Sequence, residues 1–246
     1  MTKNRQTKAT PVAALAGNPN VGKSTIFNAL TGMRQHTGNW PGKTVSLAQG
    51  VCVYKGEEIR LVDLPGTYAL VSKSQEETLA AGFISGGEAD CVIAVCDATS
   101  LERSLILALQ VMELTDRVIV CVNLMDEARK QGIEIELAAL SFELGVPVVA
   151  ASASREEGMG ELLEQLRRIL DGFEVPRPRR CGVVPDSIRE SHLGAEALRG
   201  ASEQDSDEIA ARFVRRAEEI AKKVVRETRQ DTKTRTLRVD RLLTGR

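Results

Sequence analysis

Residues 17–24, GNPNVGKS, match the pattern G-x-x-x-x-G-K-[ST] in full, and the segments that flank them restrict the fold to a narrow class. Residues 11–16 (PVAALA) predict a short buried strand, and residues 24–30 (STIFNAL) predict a helix that ends at Gly32. A glycine-rich turn between a strand and a helix directs successive main-chain N–H groups at one point, where the helix dipole adds positive charge. This arrangement favours the binding of phosphate groups.

The same pattern predicts separate roles for its polar residues. The Lys23 ammonium would reach the β- and γ-phosphates of a nucleotide, and the Ser24 hydroxyl would bind Mg²⁺. We expect the nucleotide to contact Gly17, Asn18, Pro19, Asn20, Val21, Gly22, Lys23, Ser24 and Thr25.

Strand-like and helical patterns alternate along most of the chain. Strands are predicted at 11–16, 44–54, 57–63, 89–96, 117–122 and 146–151, and helices at 24–30, 75–84, 101–114, 134–144 and 157–170. Near-continuous apolar strands that alternate with helices are typical of a mostly parallel sheet covered on both faces. We predict an α/β fold with a mostly parallel sheet of six or seven strands.

The composition changes near residue 172. Residues 171–186 are rich in glycine, proline and arginine, which predicts a linker, and residues 187–198 and 207–228 then predict helices. At 246 residues the chain exceeds the commonest domain size. We therefore predict a disordered tail at 1–10, an α/β domain at 11–171, and a linker with a small all-α domain at 172–246.

Composition argues against several other classes of protein. The net charge of −1, with charges of both signs interspersed, gives no electrostatic footprint for nucleic acid. Five cysteines without a regular spacing are expected to be reduced residues of a cytosolic protein. The sequence has no apolar run of 18 residues and no signal pattern, so we expect a soluble chain. The two histidines fall in different predicted domains, which predicts no iron site.

Three further motifs follow predicted strands. Asp63 and Gly66 begin and end the sequence DLPG, NLMD spans 123–126, and SAS spans 152–154. Each is weak evidence alone, but ligands of open α/β sheets bind at the carboxyl ends of the strands, where all of these motifs fall. Asp63 would hold Mg²⁺ through water, and the Gly66 amide would meet the γ-phosphate.

This set of motifs resembles the translation-factor-related class of small GTPases. The resemblance implies a P-loop GTPase fold in which Asp126 pairs with the guanine N1–H and exocyclic amine, so that GTP is bound in preference to ATP. Asn123 would brace the base and the loop at residues 17–24, which is called the phosphate loop below. The Ala153 N–H would approach guanine O6, with Ser152 and Ser154 beside it.

A closer resemblance covers residues 11–171. GNPNVGKSTIFNALTG, HTGNWPGKTV, DLPGTYAL, DATSLERSLILALQVMEL and NLMDEARKQGIEI are similar to the N-terminal G domain of FeoB-type ferrous iron transporters. The later helices resemble the helical domain of that family, which favours the GDP-bound state. The resemblance implies a fragment at the cytoplasmic face of the bacterial inner membrane, with the membrane permease domain of the full-length protein as its partner. Homo-oligomerisation is left open.

The resemblance also implies how hydrolysis would proceed. Thr44 takes the switch I role, binding Mg²⁺ with Ser24 and Asp63 in the GTP state, and Gly42 and Lys43 contact the nucleotide beside it. Residues 66–75 would form switch II. Lys23, Thr44 and Asn20 are the predicted catalytic residues.

Two positions depart from the small-GTPase pattern. Leu124 stands where the class usually has lysine, which implies weaker affinity and quick GDP release. Thr67 stands where Ras-like enzymes have a water-orienting glutamine. Asn20 implies a potassium ion against the phosphates in the place of an arginine finger, with carbonyls near Asn39 and Trp40 as further ligands. The alternative is that Asn20 only caps the turn.

Three functions remain open at this point. The favoured one is a K⁺-stimulated GTPase switch, with GTP, GDP, Mg²⁺ and K⁺ as ligands, that regulates or drives Fe²⁺ uptake through a membrane domain. The second is a soluble GTPase that acts on the ribosome or tRNA, although residues 172–246 carry no RNA-binding signature. The third is a nucleotide-binding module without useful turnover.

Overall fold

A computed structural model of the chain describes residues 10–32, 35–39, 46–71, 74–189, 191–200 and 202–227. The strands in these ranges are β1 (Val12–Gly17), β2 (Gln35–Asn39), β3 (Ser46–Tyr54), β4 (Glu57–Asp63), β5 (Cys91–Asp97), β6 (Val118–Asn123), β7 (Ile133–Ile135), β8 (Val148–Ala150) and β9 (Val225–Glu227). The α-helices are α1 (Lys23–Thr31), α2 (Gln75–Ser85), α3 (Leu101–Leu114), α4 (Met125–Lys130), α5 (Leu137–Leu144), α6 (Met159–Leu170), α7 (His192–Arg199) and α8 (Glu203–Val224).

Seven of these strands form one mostly parallel sheet in the order β2-β3-β4-β1-β5-β6-β8. Strand β1 lies at its centre and pairs in parallel with both β4 and β5. The antiparallel part is confined to β2, β3 and β4 at one side. The predicted α/β fold with a mostly parallel sheet of six or seven strands is therefore confirmed.

Apolar clusters cover both faces of this sheet. Ala13 and Leu15 of β1 join the cluster beneath α1 and α6, while Val12, Ala14 and Ala16 join the opposite cluster. The opposite cluster also holds buried residues of α2, α3 and α5 and, from the chain after residue 172, of α7 and α8. Alternate strand residues point to opposite faces, so a strand buried on both sides reads as a continuous apolar run.

Helix α8 is amphipathic and begins with a complete capping box. The Ser202 side chain accepts the Asp205 amide at 3.1 Å, and the Asp205 carboxylate accepts the Ser202 amide at 3.1 Å. The buried face of the helix, which includes Phe213 and Ile220, packs against α3. The helical segment therefore shares its apolar core with the sheet.

The structure differs from the predicted elements at several places, among them an unpredicted helix, α4, and a start at His192 for the helix predicted at 187–198. No strand was predicted between residues 33 and 42, but β2 forms at Gln35–Asn39. The helix predicted at 134–144 begins only at Leu137, because residues 133–135 pair with β9. The helix predicted at 207–228 begins at Glu203 and ends at Val224.

The five cysteines are all free, and four of them are buried in strands. Burial raises the pKa of the Cys91 and Cys121 thiols to about 12. Because only the thiolate is a good nucleophile, these side chains act as small apolar residues at neutral pH.

Candidate nucleotide-binding site

The predicted motifs meet at one edge of the sheet. Strands β1, β4 and β6 run in the same direction and end at Gly17, Asp63 and Asn123. The loop from Asn18 to Gly22 crosses this edge and leads into α1. A cavity of about 550 Å³ opens there and is lined by Asn18, Pro19, Asn20, Gly22, Lys23, Ser24, Thr25 and Gly66.

The loop depends on backbone conformations and close contacts that few side chains allow. Asn20 has φ +67°, in the left-handed region that asparagine tolerates better than most residues. Gly22 has φ +82°, and a Cβ there would overlap the carboxamide of Asn123. A Cβ on Gly17 would lie 3.0 Å from the Val95 carbonyl oxygen. Glycine at 17 and 22 therefore lets the loop pass close to its neighbours.

Lys23, which lines the cavity, forms an ion pair with Asp63. The Lys23 ammonium donates to the Asp63 carboxylate, and both side chains are largely buried. The Ser24 hydroxyl donates to the other oxygen of Asp63 at 3.3 Å. Two oxygen ligands therefore converge beside the phosphate loop, and hard oxygen donors of this kind suit Mg²⁺.

Gly66 and Thr67 lie directly against the phosphate loop. The Thr67 amide donates to the Gly17 carbonyl at 3.3 Å. Thr67 is buried, and a Cβ on Gly66 would lie 3.4 Å from Pro19 Cα. A little farther on, the Leu70 amide donates to the Gln110 carboxamide oxygen on α3 at 2.5 Å. The beginning of the predicted switch II is thus joined to the loop on one side and to α3 on the other.

Asn123 connects three of the predicted motifs. Its carboxamide nitrogen donates to the Val21 carbonyl at 2.9 Å, and its carboxamide oxygen accepts the Ala153 amide at 3.0 Å. Asn123 is 1% exposed. One buried amide therefore fixes the distance between the phosphate loop and the loop at 152–154.

Two buried polar atoms near Asn123 have no hydrogen-bond partner within the described residues. They are Asp126 Oδ1 and Ser152 Oγ. Asn18 Oδ1 in the phosphate loop is also buried without a hydrogen-bond partner there. An unpaired buried polar group is costly, so each such atom needs an explanation, and a bound molecule or ion is one explanation. The other carboxylate oxygen of Asp126 lies 3.3 Å from Nε of Arg155.

Some predicted site residues cannot be placed. Gly42, Lys43, Thr44 and Trp40 lie outside the described residues, and Asn39 is described only as the end of β2. Ser154 is exposed in the short turn that follows Ser152. The site as described therefore consists of the phosphate loop, Asp63 with Gly66, Asn123 with Asp126, and Ser152 with Ala153.

The family model for Ferrous iron transport protein B matches residues 11–166, well over half of the chain. The chain belongs to the FeoB family. The matched residues include every described residue of the predicted site.

Relatives and solved structures agree with this assignment. The Fe(2+) transporter FeoB of Escherichia coli (strain K12) is 44% identical over 165 residues, which are 65% of this chain and 21% of the relative. The crystal structure of the cytosolic domain of T. maritima FeoB in GDP form II is similar with a TM-score of 0.78 and 32% identity, covering 88% of this chain and all of that one. The GMPPNP form of the same domain is similar with a TM-score of 0.77 and 32% identity, covering 89% of this chain and 100% of that one.

This FeoB chain spans about a fifth of the length of that curated relative. None of the helices in the described ranges combines the length and apolar character that crossing a lipid bilayer requires. Within the same ranges, no three His, Cys, Asp or Glu side chains come together in a way that could hold a metal ion.

One feature of this FeoB site was missed from the sequence, namely the contact of Arg155 with Asp126. An exposed arginine after a serine-rich turn carries no local signal, since most such residues are solvated. Only the fold brings the loop at 152–157 close to α4. The main chain of Ser152 pairs with that of Glu157 within the loop, and the Met125 amide at the start of α4 donates to the Ala151 carbonyl.

Proposed function

We propose that this chain binds GTP and hydrolyses it slowly to GDP and phosphate, as the switch domain that governs Fe²⁺ uptake through a membrane domain of the FeoB transporter. The observation that carries the proposal is the position of Asn123, which holds the phosphate loop and the loop at 152–154 on either side of the unpaired Asp126 oxygen. A nucleotide that spans these loops places its phosphates and its base at the two ends of one rigid frame.

Asp126 supports guanine as the base. A carboxylate accepts hydrogen bonds only, and guanine offers two adjacent donors, N1–H and the exocyclic amine, where adenine offers an acceptor at N1. Binding of guanine would satisfy Oδ1 of Asp126, which is buried without a partner. The solved GDP and GMPPNP forms of the T. maritima domain add support for a guanine nucleotide.

Lys23, Ser24 and Asp63 suit the phosphates and their metal ion. The Lys23 ammonium would exchange Asp63 for the β- and γ-phosphate oxygens, since charge-assisted hydrogen bonds to phosphate are strong. Ser24 and Asp63, with Thr44 from switch I, would hold Mg²⁺. When bound, Mg²⁺ neutralises charge that develops on the phosphate oxygens.

Hydrolysis would depend mainly on positioning and charge neutralisation. Thr67 has no carboxamide with which to orient water. Separately, a positive charge in the place of an arginine finger would stabilise the transition state. We propose K⁺, held by the Asn20 side chain at the rim of the cavity and by switch I carbonyls near Asn39 and Trp40. Asn20 lines the cavity, which supports this role.

The switch itself would act through Thr44 and the segment at 66–75. Loss of the γ-phosphate removes the anchor of both segments. The bond from Leu70 to Gln110 on α3, and the packing of α8 on the same helix, support a path from switch II to the helical segment.

The steady-state rate of GTP hydrolysis in KCl and in NaCl, at equal ionic strength, tests the proposal. We expect a clear rise in K⁺ that Asn20→Ala abolishes. Since alanine is strained at the positive φ of residue 20, Asn20→Gly serves as the matched variant that removes the side chain without that strain. It should lose the K⁺ response as well.

The outcomes separate the parts of the proposal. Equal slow rates in the two salts would exclude the potassium mechanism and leave Asn20 as a structural cap. A K⁺ response that survives in Asn20→Gly would exclude Asn20 as its ligand. Absence of both GTP binding and hydrolysis would overturn the proposed function as a whole.

A further inference from the structure

Arg155 lies against the carboxylate that is expected to recognise the base. Its Nε is 3.3 Å from Asp126 Oδ2, and the Arg155 side chain is 53% exposed while that of Asp126 is 8% exposed. The arginine therefore approaches Asp126 from the solvent side. It is held near by its own main chain, because the Arg155 amide donates to the Ser152 carbonyl at 2.8 Å.

The chemistry of Arg155 resembles that of the base itself. The edge of guanine that faces a carboxylate carries N1–H and an amine on one carbon atom, which is a guanidine-like pair of donors. The arginine side chain ends in a guanidinium group, whose planar fork of N–H donors matches a carboxylate in the same way. Arg155 therefore holds one of the two carboxylate oxygen atoms that guanine would use.

The two carboxylate oxygens of Asp126 differ in their contacts. Oδ1 is buried without a partner in the described residues, and Oδ2 is engaged by Arg155. A base that uses both oxygens needs Oδ2 as well as Oδ1. A base with a single donor at this edge can use Oδ1 and leave the arginine in place.

We propose that Arg155 occupies Asp126 in the empty site as a substitute for guanine, and that the base must displace it. The inference rests on the proposed guanine-nucleotide function and concerns how that site sets its affinity. Arg155 stabilises the empty state and so lowers the affinity for guanine nucleotides and speeds the release of GDP. It acts against guanine more than against a base that lacks the exocyclic amine.

Calorimetric titration of the chain with GDP and with IDP, whose base lacks that amine, tests the proposal. In Arg155→Gln we expect GDP to bind about two- to fivefold more tightly, the range that a partly exposed ion pair allows. The affinity for IDP should rise less, because IDP does not need the oxygen that Arg155 holds. The GDP dissociation rate, followed by stopped flow, should fall by a similar factor.

Arg129→Gln is the matched control. Arg129 lies on α4, three residues after Asp126, and pairs with Glu157 at 3.7 Å instead of with Asp126. The substitution removes the same charge without removing a contact of Asp126. GDP and IDP affinities should both stay as in the unchanged chain.

Each other outcome overturns the inference. Weaker or unchanged GDP binding in Arg155→Gln would mean that the arginine supports the base or does not affect it. Equal gains for GDP and IDP, or an equal gain in Arg129→Gln, would indicate an effect of loop structure or of charge. If the unchanged chain binds no GDP, the proposed function fails together with this inference, which distinguishes that case from the others.

Discussion

The carboxylate of Glu113 on α3 accepts the main-chain amide of Val184 at 3.0 Å, within the apolar layer that covers the sheet. The same carboxylate accepts the amides of Cys181, Gly182 and Val183 at 2.6, 3.0 and 3.1 Å. Glu113 is fully buried. Four donors from one short segment thus satisfy one buried carboxyl group, and they join the segment that precedes α7 to the C-terminal half of α3.

Glu113→Ala should lower the free energy of unfolding by about 2–4 kcal/mol, because it leaves four amides without their acceptor. Glu113→Gln should lower the free energy of unfolding nearly as much, since its NH₂ group would face two of those amides. Urea unfolding measures the free energy of unfolding of both variants. Glu102→Ala, at an exposed position on the same helix, is the control and should change stability little. Equal stability of all three variants would contradict the role of Glu113.

Glu143 on α5 should make the docking of α8 dependent on pH. Its carboxylate accepts Lys223 Nζ at 2.9 Å and an Arg216 guanidinium nitrogen at 3.1 Å. The hydrogen bond from Lys223, with smaller contributions from its charge and from Arg216, holds the pKa of Glu143 below its ordinary value despite partial burial. A folded pKa below the unfolded one contributes stability above the unfolded pKa, and this stability is lost as pH falls through the folded pKa.

Glu143→Gln should therefore destabilise the chain at neutral pH, by less than about 1 kcal/mol, because Lys223 leaves the ion pairs partly open to solvent. The difference from the unchanged chain should disappear below the folded pKa of Glu143. Urea unfolding at several pH values measures it. Glu219→Gln, which removes an exposed i,i+3 partner of Arg216, should show a smaller difference. A difference that stays constant with pH would contradict the assignment.

Asn123→Ala should destabilise the nucleotide-free chain by about 2–3 kcal/mol, since two buried main-chain groups lose their partner. Asn123→Asp keeps an acceptor for Ala153 but turns a carboxylate oxygen toward the Val21 carbonyl, so it should be at least as harmful. Thermal unfolding without nucleotide measures both, with the exposed Ser154→Ala as the control. Unchanged melting of both variants would show that the loops hold their positions without this side chain.

Leu124→Lys should strengthen GDP binding by about two- to fivefold, because a lysine stem and ammonium would cover one face of the base. Residue 124 has φ +63°, so leucine and lysine bear the same backbone strain and the comparison concerns the side chain alone. Leu124→Met, which adds length without charge, is the control. Titration with GDP measures the effect. Equal affinity of all three chains would show that this face of the base needs no cover.

The sequence predicts the central strands well because they are continuous apolar runs bounded by turns. Strand β2 was missed because QHTGN is polar, as an edge strand can be, and its pairing with β3 is a tertiary contact. Residues 134 and 135 were assigned to a helix because the pairing of β7 with β9 joins segments about 90 residues apart, beyond any local pattern. The contacts of Arg155 with Asp126 and of Glu113 with residues 181–184 are equally non-local.

The bonds of Asn123 have a consequence for the order in which the site is completed during synthesis. They close chain separations of 102 residues, to Val21, and of 30 residues, to Ala153. Chains emerge from the ribosome with the N-terminus first. The phosphate loop is therefore among the first segments made. Its bond to Asn123 can form only after residue 123 has been synthesised, and the bond of Asn123 to Ala153 only after residue 153. A nascent chain that stops short of Ala153 carries the full G-x-x-x-x-G-K-[ST] pattern but lacks the bond that joins Asn123 to the loop at 152–154.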